Sequence, residues 1–273
     1  EDVQGALLLD GASLAAFTVL KTGSEFTVMP VMRAPRVSAG QQAQAARAEP
    51  PKPAPPGRSL HFAHFAGGKG ANSTFHLIGM PRVGLGPGQR VRGTLEFFGP
   101  DGAPLPTPIE GRGLQTSLSF DLGLPGAIST TYRTDSQAAP VQGSARIVMK
   151  EGSADAVLIH SGVGLTHSGP YNGFLAPVKG NARIAVSSTG PAAELTLSLR
   201  DPKGQTVPGG TATARLAANG SLVGSLQELF PKAITAGFQG SVVVIAGGDA
   251  SVSAAVLEQD GARLAALPVI QLQ

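Results

Sequence analysis

The sequence predicts an all-β protein: two tandem antiparallel β-sandwich (Ig-like) domains preceded by an N-terminal β-hairpin on a Pro-rich tether. Three observations carry this. Gly (37) and Pro (22) together exceed a fifth of the 273 residues while aromatic residues make up only 5%, a composition of short strands and tight turns rather than long helices. Apolar and small polar residues alternate, as in "ARIAVSS" and "AELTLSL", with the two-residue period of half-buried strands. A phrase also recurs: "VQGALLLDGASLAAFTVL" from Val3, "VQGSARIVMKEGSADAVLI" from Val141 and "FQGSVVVIAGGDASVSAAVL" from Phe238.

Residues 1–31 carry only this closing phrase, an apolar strand, a "DG" turn, a second strand, a turn at Gly23 and Ser24, and "FTVMPV". They read as the end of a domain without its beginning, a donor hairpin. An isolated hairpin is marginal in water, so its strands need a host. Leu7, Leu9, Leu14, Phe17, Val19, Phe26, Val28 and Val31 are the side chains expected to fill that host's core. Residues 32–58 are rich in Pro, Ala and Gln and predict an extended linker. At about 3.1 Å per residue in polyproline II it spans on the order of 80 Å.

Two homologous units follow, expected over 59–178 and 179–273. "TLEFFGPDGAPLP" from Thr94 aligns without a gap on "TLSLRDPKGQTVP" from Thr196, each a strand running into a P-x-G turn. Pro100 and Pro202 fix φ there, and Gly102 and Gly204 accept the positive φ that follows. "QGS" recurs at Gln142–Ser144 and Gln239–Ser241, and "LAPV" (Leu175–Val178) and "LPV" (Leu267–Val269) are read as closing the two units. "VVVIA" is an apolar run that fits a strand covered on both faces or a buried helix. The helix-like piece is Leu222–Pro231, with Leu222, Leu226 and Leu229 at helical spacing.

The string "LAANGSLVGSLQELFP…FQGSVVVIAGGDASVSAAVLEQDGARLAALPV" resembles tandem β-sandwich repeat domains of secreted and surface proteins of bacteria, and "HFAHFAGGKGANSTFHL" with "GTLEFFGPDGAPL" looks like the opening of another such repeat. The likeness covers residues 59–273 with interruptions; the first unit lacks the E-L-F-P helix and is longer at its end. It implies surface display and adhesion or assembly, and supplies no catalytic residues.

Chemistry-bearing patterns are sparse. The chain has no Cys, which removes disulfides and thiolate ligands. His61, His64 and His76 cluster, but on a regular strand i and i+3 point to opposite faces, which argues against a metal. His160 and His167 flank a turn. "GGKGANS" lacks the order of a phosphate loop and "GLGPGQ" the strand-to-helix setting of a dinucleotide fingerprint. No G-x-S-x-G occurs. Asp249 and Asp260 are too isolated for calcium, and with Trp 0 and Tyr 2, a sugar platform would draw on Tyr132 and Tyr171. "NST" at Asn72 and "NGS" at Asn219 fit a glycosylation pattern, and Asn219-Gly220 fits a turn as well.

The expected function is therefore non-enzymatic, with no catalytic, cofactor or metal residues: a structural subunit of an extracellular filament or tube that polymerises head-to-tail by donor-strand complementation. The alternative is a monomeric surface adhesion or glycan-binding module with the hairpin docked on its own domain, a placement for which so long a tether is more than is needed. The expected partners are other copies of the chain, with glycans or surfaces second. The scattered basic residues do not suit nucleic acid, and no apolar run is long enough for a membrane helix. A start at "EDVQG" reads as a processed, exported bacterial chain, placed outside the cell or on its surface.

Overall fold

The computed structural model describes residues 18–22, 25–29, 59–79, 90–123, 129–234, 237–260 and 263–272. Over these the protein is predominantly β and every ladder is antiparallel. Strands β1 (Thr18–Thr22) and β2 (Glu25–Met29) come first. The first half then holds β3 (Ser59–Gly67), β4 (Ser73–Gly79), β5 (Arg90–Phe98), β6 (Thr107–Ile109), β7 (Gly113–Gln115), β8 (Ser117–Gly123), β9 (Ser129–Arg133), β10 (Val141–Glu151), β11 (Ala154–His160) and β12 (Val163–Thr166). The second half holds β13 (Gly173–Lys179), β14 (Ala182–Ser188), β15 (Ala193–Arg200), β16 (Thr206–Leu216), β17 (Ser221–Ser225), α1 (Leu226–Leu229), β18 (Gln239–Ala246), β19 (Val252–Asp260), β20 (Arg263–Leu267) and β21 (Ile270–Gln271).

The two halves share one strand order. In the first, the sheets run β3-β10-β5-β8 and β12-β11-β4-β9, with β6 and β7 as a side hairpin. In the second they run β13-β18-β15-β16 and β20-β19-β14-β17, with β21 added beside β13. Each of the eight strands in the first half's two main sheets thus has a counterpart, β3 with β13 through β12 with β20, and β6 and β7 have none. The repeated phrases fall on these counterparts, Thr94–Phe98 in β5 and Thr196–Arg200 in β15, and "QGS" in β10 and β18. Gly102 and Gly204 take φ of 80° and 79°, as the P-x-G turns require.

Each pair of sheets encloses one apolar cluster, a β-sandwich-like arrangement. Alternation decides which face is buried: in β8, Leu118, Phe120 and Leu122 are inside and Ser117, Ser119 and Asp121 outside. In β15, Ala193, Leu195, Leu197 and Leu199 are inside. The first core is built on Phe62, Phe65, Phe75 and Phe97, whose rings lie 5.3–5.9 Å apart in tilted and edge-on pairs. The second is mainly aliphatic, with Phe174 and Phe230 fully buried among Leu, Val and Ala.

Four expectations are corrected by this geometry. Leu175–Val178 lies in β13, which pairs with β18 and β21, so this strand opens the second half rather than closing the first. The helical stretch from Leu222 shrinks to α1, because Leu222 pairs with Val186 in a ladder and the helix begins only after Ser225. There Ser225 and Glu228 form a capping box. The "VVVIA" run is strand β18, central in its sheet, although Ile245 is 50% exposed. Finally, β3 carries a bulge: Gly143 faces Phe65 while Ala145 faces Phe62, so one extra residue sits in β3 between them. Phe62 and Phe65, three apart, therefore both reach the first core.

Candidate functional site

Of the eight expected donor side chains, Leu7, Leu9, Leu14, Phe17 and Val31 lie outside the described residues. Val19 falls in β1, and Phe26 and Val28 in β2, where the register sets Val19 opposite Val28 and Lys21 opposite Phe26. Residues 23 and 24 separate the paired ends Thr22 and Glu25. The same two-residue link separates His160 from Val163 and Asp260 from Arg263. β1 and β2 thus pair antiparallel with the same spacing between paired ends as β11 and β12 or β19 and β20. β2 lies beside β12, and β12 in turn lies beside β20. Among the described residues no ladder joins β1 or β2 to either half, and β12 pairs only with β11. A cleft of about 540 Å³ opens between β12 and β20, lined by small and apolar residues such as Leu165, Ala254, Val256 and Leu267, with Tyr171 at its side.

The two halves meet along β3, which lies against β14 and β19. Its free edge is closed by the second half's side of the chain: the His61 carbonyl accepts from the Ser168 amide at 3.0 Å and from Ser253 Oγ at 3.3 Å, and Ser168 Oγ donates to the Ala254 carbonyl at 2.6 Å. Leu257 of β19 enters the first core cluster. At the other end of the junction, Arg146 donates to Glu96 from Nε (2.9 Å) and Nη2 (2.8 Å), donates to Asn219 Oδ1 at 3.1 Å, and lies over the Phe98 ring. The P-x-G turn of the first half is clamped here as well, since Ser221 donates to the Pro100 carbonyl. A Cβ on Gly102 would sit 1.9 Å from the Ala218 carbonyl oxygen.

The β3 bulge brings His61 and His64 to this junction, both buried, contrary to the expectation that i and i+3 diverge. Burial pushes His61 down to about 4, with Arg146 and His167 adding repulsion. It pushes His64 down to about 3, helped by His160 and Arg183. The His64 and His160 rings meet edge-on at 5.1 Å, and His64 Nδ1 has no hydrogen-bond partner among the described residues. His160 Nδ1 is shared with Ser73 Oγ at 3.1 Å, whereas His167 pairs with Asp155 at 2.9 Å, so the two histidines flanking the turn part company. His76 bonds Thr131 across the ladder, away from His61 and His64.

The remaining candidates resolve into structure. Among the described residues no three His, Cys, Asp or Glu side chains come together around one point. Tyr132 is buried and donates to the Ser119 carbonyl, which removes it from any sugar platform. "GGKGANS" is a tight turn with Gly68, Lys69 and Gly70 all at positive φ, and "GLGPGQ" lies outside the described residues. Asn219 sits at φ 58° in a turn, its side chain held by Arg146. Among the described residues no helix is long and apolar enough to cross a membrane. No known family model, curated protein or solved structure matches the chain. What the geometry offers is surfaces: strand edges, a cleft, and the outer faces of the sheets.

Proposed function

We propose that the protein is a secreted structural subunit, two tandem Ig-like β-sandwiches whose N-terminal hairpin attaches each copy to the next in an extracellular filament or tube. The observation that carries this reading is the β1–β2 ladder, a two-stranded sheet outside both sandwich-like halves, preceding the Pro-rich segment at 32–58. A two-stranded sheet is too small to be stable alone. Each half already owns its eight counterpart strands, so on its own chain or on a neighbouring copy the β1–β2 ladder would add to an edge or a face rather than fill a vacancy. The head-to-tail use of one element on every copy gives a heterologous contact, which closes into a ring or propagates as a helix.

The place of β2 beside β12 of its own chain favours a second reading, a monomeric surface adhesion module whose hairpin covers its own first half. Deleting residues 1–31 separates the two. Under the proposal the full chain shows concentration-dependent particles by light scattering and filaments by electron microscopy, and the deleted chain is a folded monomer. Monomers from both would contradict the filament and leave the adhesion reading, to be pursued by glycan-array binding.

A further inference from the structure

The shared topology makes it possible to compare the same surface twice, once covered and once bare. With Gln142–Ser144 matched to Gln239–Ser241, Arg146 corresponds to Val243 and Val148 to Ile245. Across the ladders, Arg146 faces His61 and Val243 faces Leu175, so His61 and Leu175 are counterparts. In the first half this outer face turns toward the second half: His61 is 6% exposed, Ser144 is 4% exposed, and Arg146 reaches Asn219. In the second half the same face is more open at its ends, around a buried Val243 (4% exposed). Leu175 and Ser241 are only half-buried, and Ile245 is 50% exposed.

The open face is also the more apolar of the two. β21 extends it, with Ile270 (54% exposed) opposite Leu175 and Leu272 (36% exposed) 3.4 Å from the position a Cβ on Gly173 would take, next to Ile245. Three of the four large hydrophobic side chains that stand exposed among the described residues therefore share one face; the fourth, Leu114, is on β7. Contiguous exposed apolar side chains of this kind mark interaction surfaces.

We propose that this face of β13, β18 and β21 is the docking surface for a second copy of the chain, which covers it as the second half covers β3. The counterface is the outer face of β4 and β11 in the incoming copy, the counterparts of the β14 and β19 that receive β3 inside one chain. The series β2, β12, β20 would then continue, with β2 of the incoming copy lying between its own β12 and the β20 of its neighbour. The contact is heterologous and propagates. This inference rests on the assembly reading above and names its acceptor.

The test is the double substitution Ile245→Lys/Ile270→Lys in the full chain, with Leu272→Lys as a second variant should the first fail to fold by circular dichroism. Both expected sites are exposed, so the monomer should keep its melting curve. The concentration needed for assembly should rise on the order of a hundredfold, the cost of burying charge at the centre of an apolar contact. If the unmodified chain assembles and the charged variants assemble equally well, the face is not the acceptor, although the filament reading survives. If the unmodified chain is monomeric at every concentration, the filament reading fails and the copy-to-copy face with it. A monomer in which the substitutions speed amide exchange in residues 18–29 would place the chain's own N-terminal strands on this face and overturn the proposal.

Discussion

The two halves of the molecule carry one strand order and differ in what their outer faces do. The first half is closed by its partner: the edge of β3 is capped by Ser168 and Ser253, and its Pro100–Gly102 turn is pinned at the 217–221 turn. The second half has its β13 edge covered only by the two-residue β21, and its Gly204 turn stands free, with nothing within 4 Å of a Cβ placed there. One repeat thus serves two settings, and the residues that differ between counterparts show which setting each was built for. Arg146 bonds Asn219 across the junction, and the His61 imidazole bonds Ser59 within β3 at 2.7 Å. Leu175 and Val243, the counterparts of His61 and Arg146, have no polar side-chain group.

Core substitutions should separate the halves most strongly. Phe75→Ala removes the centre of the aromatic quartet and should cost about 3–5 kcal/mol, read from chemical denaturation. Phe174→Ala, in the aliphatic core, should cost a similar amount but leave the exchange protection of β4 and β5 unchanged. The matched turns give the cleaner contrast. Gly102→Ala meets both a positive φ and the Ala218 carbonyl and should cost about 3 kcal/mol. Gly204→Ala meets the φ alone and should cost about 1 kcal/mol.

A pH profile sharpens the comparison at His61. Its folded-state pKa lies below the unfolded value of 6.5, at about 4, so the unfolded chain binds the proton first. No penalty exists above pH 6.5; stability falls as pH drops from 6.5 to about 4 and levels off below. His64 adds a second loss that continues to about pH 3. His61→Leu installs the second half's residue and should remove roughly 3 kcal/mol of the loss between pH 7 and pH 4, read as a flatter stability curve. The smallest effect belongs to Glu96→Gln, which weakens a quarter-exposed ion pair with Arg146 and should cost about 0.5 kcal/mol in thermal melts.

Much of the fold was legible in the sequence because it rests on local signals. Alternation placed β5, β14 and β15, and the paired P-x-G turns pointed to the shared plan. The junction was not legible. A one-residue bulge in β3, invisible to a two-residue period, turned His61 and His64 toward it and both Phe62 and Phe65 inward. The border between the halves was misread at "LAPV" because Leu175–Val178 looks like "LPV" at the far end, whereas hydrogen bonding to β18 decides where a strand belongs. The helix was overcounted because Leu222 has helical spacing to Leu226 but a ladder partner in Val186. Of the expected donor residues, Val19, Phe26 and Val28 fall on the β1–β2 ladder, and the other five lie outside the described residues.

The most direct measurement mixes two defective chains and weighs the product. A chain lacking residues 1–31 keeps the open face of the second half but has no donor strands, and the Ile245→Lys/Ile270→Lys chain keeps its donor strands but has a blocked face. Head-to-tail assembly predicts that each alone is a monomer and that an equimolar mixture forms one-to-one dimers and nothing larger, as seen by sedimentation or mass photometry. Monomers in the mixture, or polymers from either chain alone, would contradict it.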